Sequence, residues 1–245
     1  SHVHSMQFPE RDLQVNTVAQ LRFVLACSED ARKARVVYAG TRQVYGVPQY
    51  LPVDEGHPIR PVDFNGVHKF AATSYHLMLT RAGMLDAVVL RLTNVYGPRM
   101  ALDVACQGVL STFIRRSILG QQIDVFGDGE QFRDPVYVDD VVEAFLLVGQ
   151  TDVLPHRSFN VGGREVVTLN DIAKVASELG SCPPPRTRPF PDDRKPIDIG
   201  SYRSDYSRIQ RTLGWEPTVR FGEGMARTIE YYRDRLNFYL DPDEP

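Results

Sequence analysis

The chain holds little of what marks a membrane, secreted or nucleic-acid-binding protein. No apolar run reaches the roughly 18 residues that a bilayer-crossing helix needs, and no secretory leader opens it. Cysteine is scarce. Cys27, Cys106 and Cys182 are far apart and odd in number. They predict reduced thiols in a cytoplasmic protein, with neither a disulfide framework nor a metal site. His2 and His4 stand close together, but at a chain end, and are read as an accident of position. The net charge is -3 and no basic run occurs, which argues against nucleic acid as a partner. Repeats and low-complexity segments are absent. So is any G-x-x-G-x-x-G between a strand and a helix. Gly162-Gly163 and Gly127-Asp128-Gly129 are too short and wrongly placed for that turn. The first methionine is Met6, and the chain reads as a fragment whose N-terminal part was lost or left out.

What is present is an ordinary globular composition over 245 residues, enough to bury a good core. Apolar periodicity predicts a helix over 10–27, with Leu13, Val18, Leu21, Phe23 and Val24 inward. A short buried strand follows at Val36–Ala39, then a Pro-rich loop over 47–63. A helix over 65–83 leads to Gly83, and a second buried strand runs over Ala87–Leu92. This alternation predicts a parallel sheet with crossovers. Further on, 106–119 reads as an amphipathic helix, and 123–126 and 135–138 as strand-like. Asp139 or Asp140 reads as the cap of a helix over 140–149. Ser158–Val161 is a strand before two turn-permitting glycines, and Thr168 caps a helix to about Leu179. Residues 181–200 read as extended and irregular, with helices near 205–213 and 222–238.

Several longer patterns carry chemistry. Tyr38–Gly46 contains a Thr, Thr41, four residues before the Tyr of Val44-Tyr45-Gly46. Phe64-Asn65-Gly66-Val67-His68-Lys69 follows. Downstream stand Leu90-Arg91-Leu92-Thr93-Asn94-Val95-Tyr96-Gly97-Pro98-Arg99 and Gly127-Asp128-Gly129-Glu130-Gln131-Phe132-Arg133-Asp134. Tyr137-Val138-Asp139-Asp140, Phe159-Asn160-Val161-Gly162-Gly163 and Leu213-Gly214-Trp215-Glu216-Pro217 complete the set. Together, from about residue 5 to 235, they resemble the extended short-chain dehydrogenase/reductases that act on nucleotide-sugars as NAD-dependent epimerases and dehydratases.

That resemblance implies an α/β fold with a partial Rossmann-like parallel sheet and a smaller C-terminal α/β substrate-binding domain. Residues 1–100 would be the later part of the NAD-binding domain. Residues 101–245 would be mainly the substrate-binding domain, with some segments returning to the first. It implies NAD as cofactor and a nucleotide-diphosphate sugar as substrate. Thr41 would follow the sugar oxygen, since a hydroxyl both donates and accepts. Lys69 would hold the nicotinamide ribose. Asn94, Arg133 and Arg194 would hold the diphosphate, a task that suits planar guanidinium forks. A homodimer is implied, through the helix carrying Asn65 and Lys69 packed with residues 10–27.

The departures matter as much. The family's Y-x-x-x-K has its Tyr where this chain has Asn65, and an amide does not titrate in the relevant range. Phe64 has no hydroxyl, so a one-residue slip restores nothing. His68 and Tyr45 are the candidate replacements for the acid/base group, with His76 behind them. Arg42-Gln43 stands where the related 4,6-dehydratases carry Asp-Glu, so that dehydration is disfavoured. Pro135 replaces an aromatic after Arg133-Asp134, which predicts a displaced strand there. Two readings follow: a nucleotide-sugar enzyme with a non-standard acid/base residue, or a catalytically inactive nucleotide-sugar-binding or assembly subunit.

Overall fold

The computed structural model describes residues 2–29, 34–102 and 108–239. Its central sheet is parallel, with β1 at Arg35–Thr41, β2 at Asp86–Leu92 and β7 at Ser158–Val161, in the order β1-β2-β7. Thr41 pairs with Leu92, and Leu92 with Val161, so the three C-terminal ends are level. Every residue of β2 from Ala87 to Arg91 is buried, as expected of a parallel strand covered on both faces. Side chains alternate across it. Ala87 and Val89 pack with Leu79 and Ala72 of α4 (Phe64–Arg81). Val88 and Leu90 pack with Val141, Ala144 and Val148 of α6 (Val138–Gln150), Ile209 of α8 (Ser207–Leu213) and Trp215.

A second core lies among α5 (Val109–Ile118), α7 (Leu169–Gly180) and α9 (Phe221–Arg233). Phe113, Ile114, Ile172, Ala176, Met225 and Ile229 meet there with Tyr96 and Tyr137. Short strand pairs stitch this region together. β3 (Val95–Tyr96) runs parallel to β6 (Val136–Tyr137), β4 (Asp124–Phe126) runs parallel to β9 (Arg186–Arg188), and β5 (Phe132–Arg133) runs antiparallel to β8 (Val167–Thr168).

The helix expected over 10–27 is three pieces: α2 (Pro9–Leu13), a wide turn at Gln14–Val18 and α3 (Ala19–Ser28), after a short α1 (His2–Gln7). Val24 is buried as expected, but Leu13 and Phe23 are exposed. The helix near 222–238 ends at Arg233, with a single tight turn at Leu236–Phe238. Thr168 caps α7 with a reciprocal bond to Asp171. Neither Asp139 nor Asp140 caps α6, because the cap position is Tyr137. The Asp140 carboxylate instead accepts from Thr218 N, Thr218 Oγ1 and Val219 N, tying down the turn that precedes α9. The strand-like stretch at 135–138 is only Val136–Tyr137, set off from β5 by Asp134-Pro135. Gly163 is required there by proximity: a Cβ would lie 1.9 Å from the Pro135 carbonyl oxygen. Cys106 falls outside the described residues. Cys27 and Cys182 are unpaired thiols.

Candidate active site

The C-terminal end of β1 builds the centre of the site. Thr41 ends the strand, and its Oγ1 accepts from Gln43 N at 3.2 Å, which starts the tight turn Arg42–Tyr45. The turn delivers Thr41, Arg42 and Gln43 to one cavity of about 520 Å³. α4 arrives beside it because Asp63 caps its first turn, accepting from Gly66 N at 2.6 Å. Gly66 permits the approach, since a Cβ there would lie 2.9 Å from the Gln43 carbonyl oxygen. Asn65 is thereby placed on the cavity wall, together with Asp63. Thr93 and Asn94, just past β2, form another wall, and Gln131 and Arg133 of the β5 region a third. Arg116, Asp124, Phe126 and Phe190 also line the space.

Thus Thr41, Asn65, Asn94 and Arg133, four residues singled out by sequence, share one cavity. Arg133 is buried, and its Nη1 donates to the carbonyls of Gly200 at 2.6 Å and Phe132 at 2.9 Å. Burial, with Arg42 nearby, lowers its pKa to about 10. Asn94 Oδ1 accepts from Arg42 Nη2 at 3.1 Å.

Other candidates lie elsewhere. Lys69 does not line the cavity; its Nζ donates to Ala39 O at 3.2 Å and sits 5.3 Å from the Tyr38 ring. Burial lowers its pKa, with Asp12 opposing. His68 turns away from the cavity and meets Asp12, with Nδ1 2.8 Å from Oδ2. Tyr45 is fully buried outside the cavity. It donates to Asn160 Oδ1 at 2.7 Å and accepts from Arg91 Nη1 at 2.6 Å, while burial raises its pKa. His76 is buried in α4, stacked on Tyr38. Tyr45 and His76 therefore lie outside the cavity, as packing groups of the core. Arg194 lies in the tight turn Asp192–Ile197, and its side chain is outside the described residues.

Sequence reasoning missed two residues. Asp12 is buried and accepts from Asn65 Nδ2, Asn16 Nδ2 and the His68 ring. The Asp-x-x-x-Asn spacing is a faint signal of it. In the sequence Arg42 marks only the loss of an acid, yet in the fold it lines the cavity as a guanidinium. Among the described residues, no group of three or more His, Cys, Asp or Glu is placed to hold a metal. No described helix is long and apolar enough to cross a membrane.

Comparison with known proteins places this geometry. The model of the NAD dependent epimerase/dehydratase family matches residues 1–162. A UDP-glucose 4-epimerase of Mycolicibacterium smegmatis is 32% identical over 232 residues, covering 94% of this chain and 72% of the relative. UDP-glucuronic acid decarboxylase 1 of Arabidopsis thaliana is 28% identical, over all of this chain and 54% of the relative. Among solved structures, a UDP-glucose 4-epimerase of Thermotoga maritima with UDP-glucose superposes with a TM-score of 0.86 at 31% identity. That superposition covers 96% of this chain and 75% of that one.

Proposed function

The chain belongs to the NAD dependent epimerase/dehydratase family, and on that premise we propose that it carries out NAD-dependent hydride chemistry on the sugar of a nucleotide-diphosphate sugar, with a non-standard acid/base set. The observation that carries this reading is the convergence of Thr41, Asn94 and Arg133 on one cavity. Thr41 donates to or accepts from the sugar oxygen as its charge changes. Asn94 and Arg133 bind the diphosphate, a task that the family pattern also assigns to Arg194.

NAD, when bound, supplies the hydride acceptor and donor. Lys69 suits the ribose of such a cofactor. Its ammonium donates to one backbone carbonyl, with Asp12 acting on it only as a nearby charge, leaving N–H donors for hydroxyl groups. Asn65 holds its place on the cavity wall through Asp12 and gives the substrate an amide where a tyrosine would have given a phenol. In this reading residues 1–100 serve mainly the cofactor and 101–245 mainly the substrate.

The protein works as a cytoplasmic homodimer in this proposal. Val67, Phe70 and Met78 form an exposed stripe on α4, and Phe8, Val15 and Phe23 are exposed on the neighbouring segment. Contiguous apolar exposure of this kind marks a partner surface. A two-fold pairing of these helices would cover it.

Native mass spectrometry after incubation with NAD and UDP-glucose tests the core of the reading. Retention of both ligands by the wild type, and loss of the UDP-sugar from Arg133→Ala, is expected. A chain that retains neither is not an enzyme of this kind on its own, and the assembly-subunit reading then leads.

A further inference from the structure

One hydrogen bond decides which face of Asn94 the cavity receives. Arg42 Nη2 donates to Asn94 Oδ1 at 3.1 Å. A guanidinium carries donors and no acceptor, so the amide atom that meets it must be the oxygen. The oxygen and nitrogen of a free amide exchange places by a half-turn; here that turn would set N–H against N–H. The Nδ2 group of Asn94 is therefore directed away from Arg42. It donates to no described residue and is not covered by protein, and Asn94 lines the cavity. Its N–H groups are left for an acceptor that enters from outside.

Arg42 is itself held from behind. Its guanidinium carbon lies 4.7 Å from the centre of the Tyr202 ring, and Asp134, Asp63 and Asp198 act on it as nearby charges. Its Nη1 and Asp134 Oδ1 are both covered, so that edge of the fork is closed to the cavity. Asp63 is engaged by Gly66 N and Gln43 Nε2, and Asp198 by Gln131 Nε2 and Gly200 N. These acids balance the charge and leave Nη2 to Asn94. The consequence falls on an anionic ligand. A phosphate oxygen only accepts, so an amide that turned its oxygen outward would repel it. Locking the amide removes that orientation before the ligand arrives. The charged donor on Oδ1 also polarises the amide and strengthens the N–H groups on its other side.

We propose that Arg42 is a positioning residue for the nucleotide-sugar: its hydrogen bond locks the Asn94 amide with Nδ2 toward the diphosphate, so that Arg42 serves the ligand through Asn94 and not by contact. The proposal rests on the nucleotide-sugar reading of the site, in which Asn94 meets the diphosphate.

Calorimetric titration of the 245-residue chain with UDP tests it. Asn94→Ala is expected to bind UDP about tenfold more weakly than the wild type, the loss of one charge-assisted hydrogen bond. Arg42→Met should weaken binding severalfold, and the double variant should stay within about twofold of Asn94→Ala, because the two residues act as one unit. Arg42→Lys should recover part of the loss, since an ammonium also donates to the amide oxygen. Asn94→Asp keeps an acceptor for Arg42 and turns only the outward N–H groups into oxygen. It should lose at least as much UDP affinity as Asn94→Ala, with no fall in thermal midpoint. Additive losses in the double variant, or wild-type UDP binding by Arg42→Met or by Asn94→Ala, overturn the proposal and leave the nucleotide-sugar reading standing. An Asn94→Asp protein that is destabilised yet binds UDP normally overturns it as well. Failure of the wild type to bind UDP removes the underlying reading and the proposal together. Should Arg42→Met not fold, Asn94→Asp decides.

Discussion

Asn65 Nδ2 donates to Asp12 Oδ1 at 3.1 Å. This bond joins the residue at the expected tyrosine position to a buried carboxylate 53 positions earlier in the chain. Asp12 also takes His68 at 2.8 Å and Asn16 at 3.0 Å, so one carboxylate fastens the first turn of α4 to the N-terminal helices. Asn65 is thus both a cavity wall and a structural tie. A tyrosine at this position would have to place its ring where the amide now reaches Asp12.

Two substitutions at Asn65 separate these roles. Asn65→Ala should destabilise the fold by about 1 kcal/mol, the net worth of one hydrogen bond. Thermal unfolding should register it as a drop of roughly 2–4 °C. Asn65→Tyr restores Y-x-x-x-K with Lys69, yet turnover with NAD and UDP-sugar should not rise. A large gain would mean that the acid/base group is simply missing and has not been replaced.

Tyr45 offers a contrast. Its hydroxyl bridges Arg91 and Asn160 in the core, away from the cavity. Tyr45→Phe should cost about 1–3 kcal/mol in urea unfolding, because it strands buried polar partners. The turnover of the folded protein should be unchanged. A loss of turnover without a loss of stability would return Tyr45 to the chemistry.

Asp134 gives the fold a pH dependence. It is almost fully buried, and burial raises its pKa from 3.8 to about 6. Below about pH 4 both folded and unfolded states carry the proton, and the fold loses nothing. Between about pH 4 and 6 the unfolded chain releases a proton that the folded protein keeps, so stability falls as pH rises. The loss is complete above about pH 6 and amounts to as much as ~3 kcal/mol. Urea unfolding of the wild type and Asp134→Asn at several pH values should show the two curves diverging across this window. Parallel curves would contradict the assignment.

The exposed stripe on α4 yields a test of assembly. Light scattering at tens of micromolar protein should give twice the chain mass. Val67→Asp combined with Phe70→Asp should give a monomer that remains folded by circular dichroism, because both side chains face solvent within one protomer. A wild-type monomer would remove the dimer from the proposal.

Much of this molecule was legible from the order of its residues. The strand β2 could be read because a doubly covered parallel strand is a short continuous apolar run, a local property. Thr168 announced its cap because capping acts over three residues. Thr41, Asn94 and Arg133 could be named from the patterns around them. Only the tertiary structure decided what depends on contacts between distant segments. It set Asp12 against Asn65 and His68, put Tyr45 into the core, and moved Asp140 from a cap to a clasp on Thr218 and Val219. It also turned Arg42 from a missing acid into a guanidinium on the cavity wall beside Asn94. The physical reason is range. Periodicity, caps and turns are settled within a few residues, whereas burial, charge pairing and the lining of a cavity are settled by whichever segments the fold brings together.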